Sequence, residues 1–580
     1  MARRGHQGEP TDWVTRAADE AVRHAGEGKP VTVASGASPS GPIHLGNLRE
    51  FLTPHLVAEE LRRRGVATRH LHSWDDYDRF RKVPAGVPAE WAEHIGRPLS
   101  AVPDPWTCHE SWAEHFKAPL REALAELGVV MDEISQTQMY RSGVYREQIL
   151  HAIAHRDRIE EVLGRYRTKA APVVETEEEA AALADSPANE EDEGAGGSAT
   201  PWARFPYRPW CGSCGRDTTT VTSYDDESTD LAYTCSACGH CGVTNVAGQD
   251  GGKLVWKVDW PMRWAWEKVD FEPAGLDHMT PGSSYTVGQE LVSSVFGWKA
   301  PARVTYAFVG IAGMQKMSSS SGGVPTPSDA LKVLEAPMVR WLYTRRAPKQ
   351  AFTIDFGPEV VRLYDEWDAL TRKAADPARR DAQVLAFERA SGTEAAGRLP
   401  TPAVVVPFRT LSSVSDVTAG SAELISRVIE RVGYPHESVE DLQPRLGRAM
   451  TWITEFVPAA ERTVVREEPD TERLDSLSAP ERRWLQILLD RLPDQLEVDE
   501  VTALVYGVPK LARGLEVQDE PTEEVKADQK EFFRLLYRLL VAAERGPRLP
   551  TLVVALGPEK VRRLLGASGA ASAAAPTRSV

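Results

Sequence analysis

The sequence lacks any apolar run near the roughly 20 residues that a membrane-spanning helix requires. The first residues, MARRGHQGEPTDW, include basic side chains but no apolar core behind them, so they do not predict a signal peptide. Excess positive charge is also missing, because the net charge is -16. This argues against a protein that simply coats nucleic acid, although it allows an acidic enzyme with local basic faces. We therefore expect a cytoplasmic protein without a membrane partner.

The composition and length indicate a globular protein of several domains. Of the 580 residues, 42% are hydrophobic and 26% are charged, which is typical of soluble domains. A chain of this length predicts three or four domains. Near the N-terminus the pattern predicts helix 13–25, strand 31–35, helix 48–64 and strand 66–73. Because two strands flank a helix, we expect an α/β fold with a parallel sheet and a ligand crevice beyond its carboxyl edge.

The residue composition and the hydrophobic pattern change twice further along the chain. Residues 107–166 read as largely helical, and the stretch 175–193 then holds nine acidic residues and no basic one. Such a composition cannot bury enough apolar surface to fold, so it predicts a disordered loop. Alternating strands and helices resume over 253–310, whereas long amphipathic segments beyond residue 325 predict a mostly α-helical half.

Cysteine is scarce and clustered. Only six are present, and five lie between Cys211 and Cys241, which in a cytosolic chain favours a metal site over disulfides. Two CxxC pairs, each followed by glycine, suit the four thiolate ligands of a closed, structural zinc site. The predicted metal ligands are Cys211, Cys214, Cys235 and Cys238.

The fourth zinc ligand has alternatives, because Cys238-Gly-His240-Cys241 is also a CxxC pair. We prefer Cys238 since its spacing and its following glycine mirror the first pair. Cys108 stands alone in the sequence and is predicted to be a small buried residue rather than a nucleophile.

The stretch ASPSGPIHLGNL, residues 37–48, joins the first predicted strand to the second helix. Small residues before a helix start expose backbone amides and the positive end of the helix dipole, which suits a triphosphate. His44 and Asn47 are three residues apart and could face one ligand. Alone, the stretch could also be a turn of small residues with an incidental histidine.

A second stretch, MQKMSSSSGG at 314–323, follows the apolar segment 305–310. Lys316, among hydroxyls and glycines, could approach a phosphate and neutralise charge in the transition state. By itself it could be a linker with a solvated lysine. The two stretches together, each placed after a strand, predict a nucleotide site.

The residues of these motifs resemble the signatures of a known family. HLGN is similar to the HIGH signature and KMSSS to the KMSKS signature of class I aminoacyl-tRNA synthetases. The order SGxxPSGxxHxGN, CxxC…CxxC, DWPMRW, GLDH…GSSYTVG and KMSSS resembles the class I lysyl-tRNA synthetases, the archaeal-type enzymes also present in some bacteria. The resemblance covers most of residues 12–350 through specific motifs. In the C-terminal part it rests only on the predicted helices and their position in the chain.

The resemblance implies a Rossmann-type parallel-sheet catalytic domain with a zinc-knuckle insertion and a helical anticodon-binding domain. The expected divisions are a catalytic domain at 1–106 and 251–325, a connective insertion at 107–250 with an acidic loop (175–200) and a zinc module (205–245), a stem-contact region at 326–410, an anticodon-binding domain at 411–566, and a disordered tail at 567–580. It also implies ATP-dependent activation of L-lysine and transfer to tRNA(Lys), with Mg²⁺ on the phosphates and structural Zn²⁺. We expect a monomer, although the sequence does not determine the oligomeric state.

Carried over residue by residue, the resemblance assigns catalytic roles to His44, Asn47 and Lys316. The expected ATP-binding residues are Pro39, Gly41, His44, Gly46, Asn47, Lys316, Met317, Ser318, Ser319 and Ser320. The expected lysine-binding residues are Gly36, Ser38, Trp260, His278 and Tyr285. Threonine would be the expected residue at position 38, so Ser38 departs from the family pattern.

A lysine side chain presents an ammonium, which needs carboxylates, carbonyls or an aromatic face when buried. The segment 259–267 supplies three tryptophans and two acids, although most of these tryptophans could simply be core. Arg263 could hold either a substrate carboxylate or a neighbouring Asp. The basic tracts 62–64 and 340–349 could be solvated helix surface, but for 340–349 we favour contact with tRNA.

Two other functions stay open on the sequence. A class I glutamyl-type synthetase shares the fold, but glutamate would call for extra cationic side chains in the pocket. A non-catalytic RNA-binding paralogue would have no physical need for His44, Asn47 and Lys316.

Overall fold

The computed structural model describes residues 11–167, 201–248, 251–279, 282–313 and 324–566 of the chain. These residues form two compact units. The first lies within 11–331, 336–355 and 370–399, and the second within 332–335, 356–369 and 400–566. The predicted acidic loop and tail lie outside the described residues, as do the residues 314–323.

A parallel sheet organises the first unit. Strand β1 (Val31–Ala37) pairs with β2 (Thr68–Trp74), which pairs with β3 (Asp132–Ser135), all in parallel. On the other side of β1, Phe271 forms a parallel bridge with Val33 and another with Ala302. The order is therefore β3, β2, β1, then the segments at 271 and 302. The chain changes direction across the sheet beside β1, and α/β folds bind ligands at this switch point.

Two helices cover one face of this sheet. Helix α1 (Trp13–Ala25) begins at Asp12, whose carboxylate accepts the backbone N–H of Thr15 at 2.8 Å. Its buried face packs with that of α2 (Leu48–Arg63) against β1, so Val31 and Val33 are almost fully buried. The predicted Rossmann-type α/β fold is confirmed, with strand ends shifted by one or two residues from the prediction.

Further helices, turns and strand pairs lie before residue 400. The helices are α3 (Trp112–Glu126), Gln136–Arg141, Arg146–Ala154, Arg156–Arg167, Trp256–Glu267, Ser284–Ser294, Pro327–Leu331, Ala336–Thr344, Glu359–Ala374 and Ala382–Ser391. Short 3₁₀ turns lie at Leu45–Asn47, Ala89–His94, Leu99–Ala101, Pro201–Arg204 and Leu276–Met279. Parallel strand pairs form between Ala274–Gly275 and Thr305–Tyr306 and between Val309–Ile311 and Phe352–Ile354. An antiparallel pair joins Gly392–Thr393 to Gly397–Arg398.

The cysteine-rich module is antiparallel. Strand Thr219–Tyr224 pairs with Asp230–Cys235, which pairs with Cys241–Asn245. Tyr207–Pro209 pairs with Gly252–Leu254 and so connects the two ends of the module.

The second unit contains helices and no strand among its described residues. Its helices after residue 400 are Phe408–Val417, Ala422–Arg431, Arg445–Thr451, Trp452–Phe456, Thr471–Asp475, Ala479–Arg491, Val498–Ala512, Glu523–Val541 and Leu549–Leu564. Tyr364 stacks on Phe408 with ring centroids 4.1 Å apart. The buried Arg445 pairs with Glu335 at 2.6 Å and with Asp368 at 2.9 Å, so its charge is compensated inside the unit. The predicted helical C-terminal half is confirmed. Across the described parts of both units, no helix combines the length and apolarity needed to cross a membrane.

Two buried histidines face each other between α2 and β2, His55 from the helix and His70 from the strand. The ring centroids of His55 and His70 lie 5.8 Å apart, and His70 Nδ1 lies 3.1 Å from the carbonyl oxygen of Val130. Burial lowers the pKa of His70 from 6.5 to about 3. The ring is therefore neutral in the folded chain, whereas the unfolded chain takes up a proton below about pH 6.5.

We predict that the free energy of unfolding falls as the pH drops below 6.5, by about 1.4 kcal/mol per pH unit for this one histidine until its folded pKa is reached. In His70→Asn this slope should be smaller, measured by urea unfolding between pH 7.5 and 4.5. The exposed control His155→Asn should keep the slope of the parent chain. Equal slopes in the parent and His70→Asn would contradict the prediction.

Candidate nucleotide and amino-acid site

The loop between β1 and α2 forms a tight turn at the carboxyl edge of the sheet. Pro39 and Gly41 are buried, and the 3₁₀ turn Leu45–Asn47 leads directly into α2. The Asn47 N–H donates to the His44 carbonyl at 2.9 Å, and the His44 N–H donates to Asn47 Oδ1 at 3.2 Å. Burial lowers the pKa of His44 to about 4, so its ring is neutral at neutral pH. The turn therefore offers a neutral imidazole, an amide side chain and a helix N-terminus to an anion.

Gly36, near the end of β1, borders acidic groups. Its N–H donates to Glu50 Oε1 at 3.2 Å, and the other oxygen of Glu50 accepts the Tyr306 hydroxyl. A Cβ at Gly36 would lie 3.5 Å from the Ser73 carbonyl oxygen and 4.0 Å from Asp75 Oδ2. The half-buried Ser38 follows two residues later at the same edge. The end of β1 thus faces the carboxylate that follows β2.

That carboxylate belongs to a buried charge network. Arg263 lies 2.7 Å from Asp75 and 3.2 Å from Asp259, and it also donates to Ser73 Oγ at 2.8 Å. The Tyr140 hydroxyl donates to Asp259 at 2.6 Å. Burial raises the pKa of Asp75 to about 7, although Arg263 opposes this. Arg263 thus pairs with aspartates of its own chain, which is one of the two alternatives that the sequence left open.

Three of the expected lysine-binding residues form one aromatic cluster. The Trp260 ring centroid lies 5.3 Å from that of His278 and 5.6 Å from that of Tyr285. Tyr285 is fully buried and its hydroxyl donates to the Pro301 carbonyl at 3.1 Å. Trp260 is 8% exposed and belongs to the same apolar cluster as Ala34 of β1. The structure therefore brings these residues together beside β1, close to the end of the strand that holds Gly36.

Glu272 binds two tryptophans of this cluster through hydrogen bonds. The sequence did not predict its role. Its two carboxylate oxygens accept the indole N–H groups of Trp260, at 3.1 Å, and of Trp264. Burial raises the pKa of Glu272 to about 7. Glu272 and Asp75 each directly follow a segment of the parallel sheet. A search for acids at strand ends could have found both.

The structure also describes Gly46, an expected ATP-binding residue, and Trp264, which the sequence analysis weighed as core packing. Gly46 lies within the turn described above, and Trp264 is core, as the plainer interpretation of the tryptophans has it. The second signature stretch lies outside the described residues. Its expected site residues are Lys316, Met317, Ser318, Ser319 and Ser320.

The four predicted metal ligands come together on two knuckles. Cys211 Sγ lies 3.6 Å from Cys238 Sγ, and Cys214 Sγ lies 3.7 Å from Cys235 Sγ. All four sulfurs lie within 4.8 Å of one another. Tetrahedral zinc with Zn–S bonds of about 2.3 Å requires sulfurs roughly 3.8 Å apart, so the donor set fits this ion. We call these four cysteines the Cys211 cluster. Cys241 does not belong to it, because this residue is exposed and starts the next strand.

A second group of metal-type donors was not predicted. Asp104, Cys108, His109 and His115 place one ligand atom each within 4.8 Å of one another, and we call them the Asp104 cluster. Cys108 Sγ lies 3.1 Å from His109 Nδ1 and 3.3 Å from His115 Nδ1. The expectation that Cys108 is buried is wrong, because its side chain is exposed. Its polar neighbours are Asp104 and His109 of the same loop and His115 of α3.

Comparison with known proteins finds a matching family and relatives that cover nearly the whole chain. The family described as "tRNA synthetases class I (K)" matches residues 11–392. The chain belongs to this family. It is 54% identical to a lysine–tRNA ligase of Streptomyces coelicolor, over 96% of this chain and 98% of that protein. It is 35% identical to a lysine–tRNA ligase of Thermococcus kodakarensis, over 96% and 99% respectively. A solved glutamate-tRNA synthetase of Elizabethkingia anophelis has 14% identity and a TM-score of 0.41, covering 93% of this chain and 100% of that one.

The basic tract 340–349 of this class I synthetase differs from the expectation. Arg340 is fully buried, where it pairs with Glu59 at 2.9 Å and donates to the Leu127 carbonyl at 3.0 Å. The Arg345 guanidinium lies 3.9 Å above the buried ring of Trp341. Contact of Arg340 with tRNA is therefore a wrong prediction. In this tract Arg340 and the aromatic residues near it lie together on the buried helix Ala336–Thr344.

We predict that Arg263→Met lowers the free energy of unfolding by about 3–5 kcal/mol, because Asp75 and Asp259 would lose their buried counter-charge. The double variant Asp75→Asn/Arg263→Met should recover at least about 1 kcal/mol of that loss, since one unpaired carboxylate is removed. Urea unfolding at pH 7.5 measures both values. A double variant that is less stable than Arg263→Met would contradict the assigned pairing.

Proposed function

We propose that this chain is a lysine–tRNA ligase. It would use ATP to convert L-lysine to lysyl-adenylate and then transfer lysine to the 3′-terminal adenosine of tRNA(Lys). The observation that carries the proposal is likeness along the whole chain, because the relatives at 54% and 35% identity match over nearly their full length. The nucleotide turn and the acidic, aromatic surroundings of Gly36 support the same reaction chemically.

Catalysis would rest on positioning and charge stabilisation rather than on covalent chemistry. The neutral His44 ring and Asn47, ahead of the α2 N-terminus, are proposed to bind ATP phosphates. Lys316 is proposed to neutralise the charge that develops on the α-phosphate as the lysine carboxylate attacks and pyrophosphate leaves. Pro39, Gly41 and Gly46 would let the backbone approach the nucleotide, and Met317 and Ser318–Ser320 would surround it from the second stretch. Mg²⁺ would bind the phosphate oxygens of ATP itself.

The charge of the pocket favours lysine over glutamate. Asp75 faces Gly36, and Glu272 lies behind Trp260, so two buried acids flank the proposed amino-acid site. A cationic side chain gains from such surroundings, and Trp260, His278 and Tyr285 add aromatic faces. Arg263 already faces two aspartates of its own chain, so its positive charge is compensated before a second substrate carboxylate arrives. Ser38 would contact the substrate with a hydroxyl where the family pattern suggests threonine.

The domain roles follow the same proposal. We assign catalysis to 1–106 and 251–325, the connective insertion to 107–250, stem contact to 326–410 and anticodon binding to the helical part 411–566. The chain would act as a monomer on tRNA(Lys).

We expect the purified chain to exchange pyrophosphate into ATP in the presence of lysine, measured with and without tRNA. Exchange with glutamate alone would contradict the assigned substrate. No exchange with any amino acid, in either condition, would contradict an enzymatic role and favour the RNA-binding alternative.

Lys316→Ala should reduce lysine-dependent exchange by at least about 100-fold, because a preorganised charge at the reacting phosphate is lost. The control Lys29→Ala removes an exposed ammonium that follows α1 and should exchange like the parent chain. Binding of tRNA, measured by filter retention, should change little in Lys316→Ala. Loss of tRNA binding with unchanged exchange would refute the role given to Lys316.

We further propose that the Cys211 cluster and the Asp104 cluster each hold one structural zinc ion. Four thiolates in the first cluster and a Cys, His, His and Asp set in the second are zinc-type donors. Zinc would fix the loop geometry at each place by replacing weak contacts between neighbouring donors with bonds to one ion.

Elemental analysis of the purified chain should find one zinc ion for each cluster. Cys214→Ser should lose one ion and become easier to cleave within 205–245, whereas the exposed neighbour Cys241→Ser should keep the parent content and cleavage pattern. His115→Ala should lose the other ion. Full zinc content in both Cys214→Ser and His115→Ala would contradict the two proposed sites.

A further inference from the structure

The loop 38–47 carries few bonds of its own. Within the turn, two hydrogen bonds between His44 and Asn47 close the chain, and residues 38–44 belong to neither helix nor strand. A loop that binds a nucleotide must nonetheless be held within about 0.5 Å of its productive geometry. Contacts from outside the loop therefore decide how well its backbone is placed.

One outside contact comes from the start of α3. The indole N–H of Trp112 donates to the carbonyl oxygen of Ser40 at 3.2 Å. Trp112 is fully buried, and its ring packs on Phe80 and Phe116 with centroids 4.8 Å and 5.1 Å away. Its backbone N–H donates to the Val102 carbonyl at 2.8 Å. The ring is thus fixed on several sides and presents a single donor to the loop.

The other outside contact holds Leu45 through both of its backbone groups. The hydroxyl of Tyr343 donates to the Leu45 carbonyl at 2.6 Å, and the Leu45 N–H donates to the Pro325 carbonyl at 3.0 Å. Tyr343 is buried in the helix Ala336–Thr344, and its ring contacts Phe352 edge-on at 5.3 Å. Leu45 lies between His44 and Gly46, so this bond acts in the middle of the proposed phosphate-binding turn.

We propose that Trp112 and Tyr343 are positioning residues for the nucleotide, acting through the carbonyl groups of Ser40 and Leu45. Neither side chain is assigned a contact with substrate, and each reaches the loop through one hydrogen bond. The inference rests on the proposed function for its kinetic readout, but the placement of the loop would also determine direct ATP binding. Loss of either bond removes one anchor of a loop carbonyl and lets the turn shift, although the Leu45 carbonyl still accepts the Leu48 N–H.

The chain offers matched substitutions. Trp112→Phe and Tyr343→Phe keep an aromatic ring and remove the donor, and Trp112→Phe also removes one ring of the buried indole. Trp91→Phe removes an indole donor to the Pro103 carbonyl (2.9 Å), and Tyr364→Phe removes a buried hydroxyl donor to the Val333 carbonyl (3.0 Å). Neither control bond reaches the nucleotide loop. Steady-state exchange gives KM for ATP and for lysine, calorimetric titration with ATP in magnesium buffer gives Kd, and melting gives Tm.

Each test variant should raise KM and Kd for ATP about 3- to 10-fold, while KM for lysine stays within about twofold. The Tm of Tyr343→Phe should match that of Tyr364→Phe, because both hydroxyls are buried. The double variant Trp112→Phe/Tyr343→Phe should raise KM and Kd for ATP further. Test variants that resemble their controls, or that raise KM for ATP and lysine together with a fall in Tm, would overturn the proposal. A parent chain that binds ATP without any exchange would refute the proposed function, and the ATP Kd values alone would then decide the positioning roles. A parent chain that binds no ATP would overturn both.

Discussion

The buried pairing of Arg263 with Asp75 and Asp259 is the interaction on which the amino-acid side of the site depends. It joins the helix Trp256–Glu267 to the end of β2, across the crevice between strands. The same helix carries Trp260, three residues before Arg263, so the pairing also sets where this ring lies. Unpaired charges in such a place would cost several kcal/mol, and for this reason the network specifies one arrangement. Glu272 adds a second restraint, because it holds two indole rings of the helix at once.

Much of the architecture could be predicted from the sequence for physical reasons. Strand β1 and helix α2 have clear apolar patterns, and the turn between them has the small residues that such a junction needs. Strand β3 could not be found, since Asp132–Ser135 is a short, polar edge strand with no alternation of buried and exposed residues. Arg340 was misjudged because a fully buried arginine and a phosphate-binding arginine are identical in sequence. Only the fold shows that Glu59 and the Leu127 carbonyl satisfy it.

The site itself was predictable where short motifs encode it and not where distant segments meet. His44 and Asn47 lie in one turn, and the two CxxC pairs carry their own spacing. Asp75 and Glu272 come from separate strand ends and become neighbours of the pocket only through the order of the sheet. The Asp104 cluster similarly needs the loop 104–109 to fold back on the first turns of α3, which brings His115 to Cys108. Ser40 and Leu45 gain their partners from α3 and from Ala336–Thr344, and no local pattern signals such long-range bonds.

The raised pKa values of Asp75 and Glu272 have a consequence for calorimetry. Because burial raises both pKa values far above the usual carboxyl range, the two groups are partly protonated at neutral pH. A cation that settles beside them stabilises their ionised forms, so protons leave the pocket as it enters. The heat of such binding would therefore depend on the ionisation enthalpy of the buffer. The affinity for the cation would increase with pH across the neutral range.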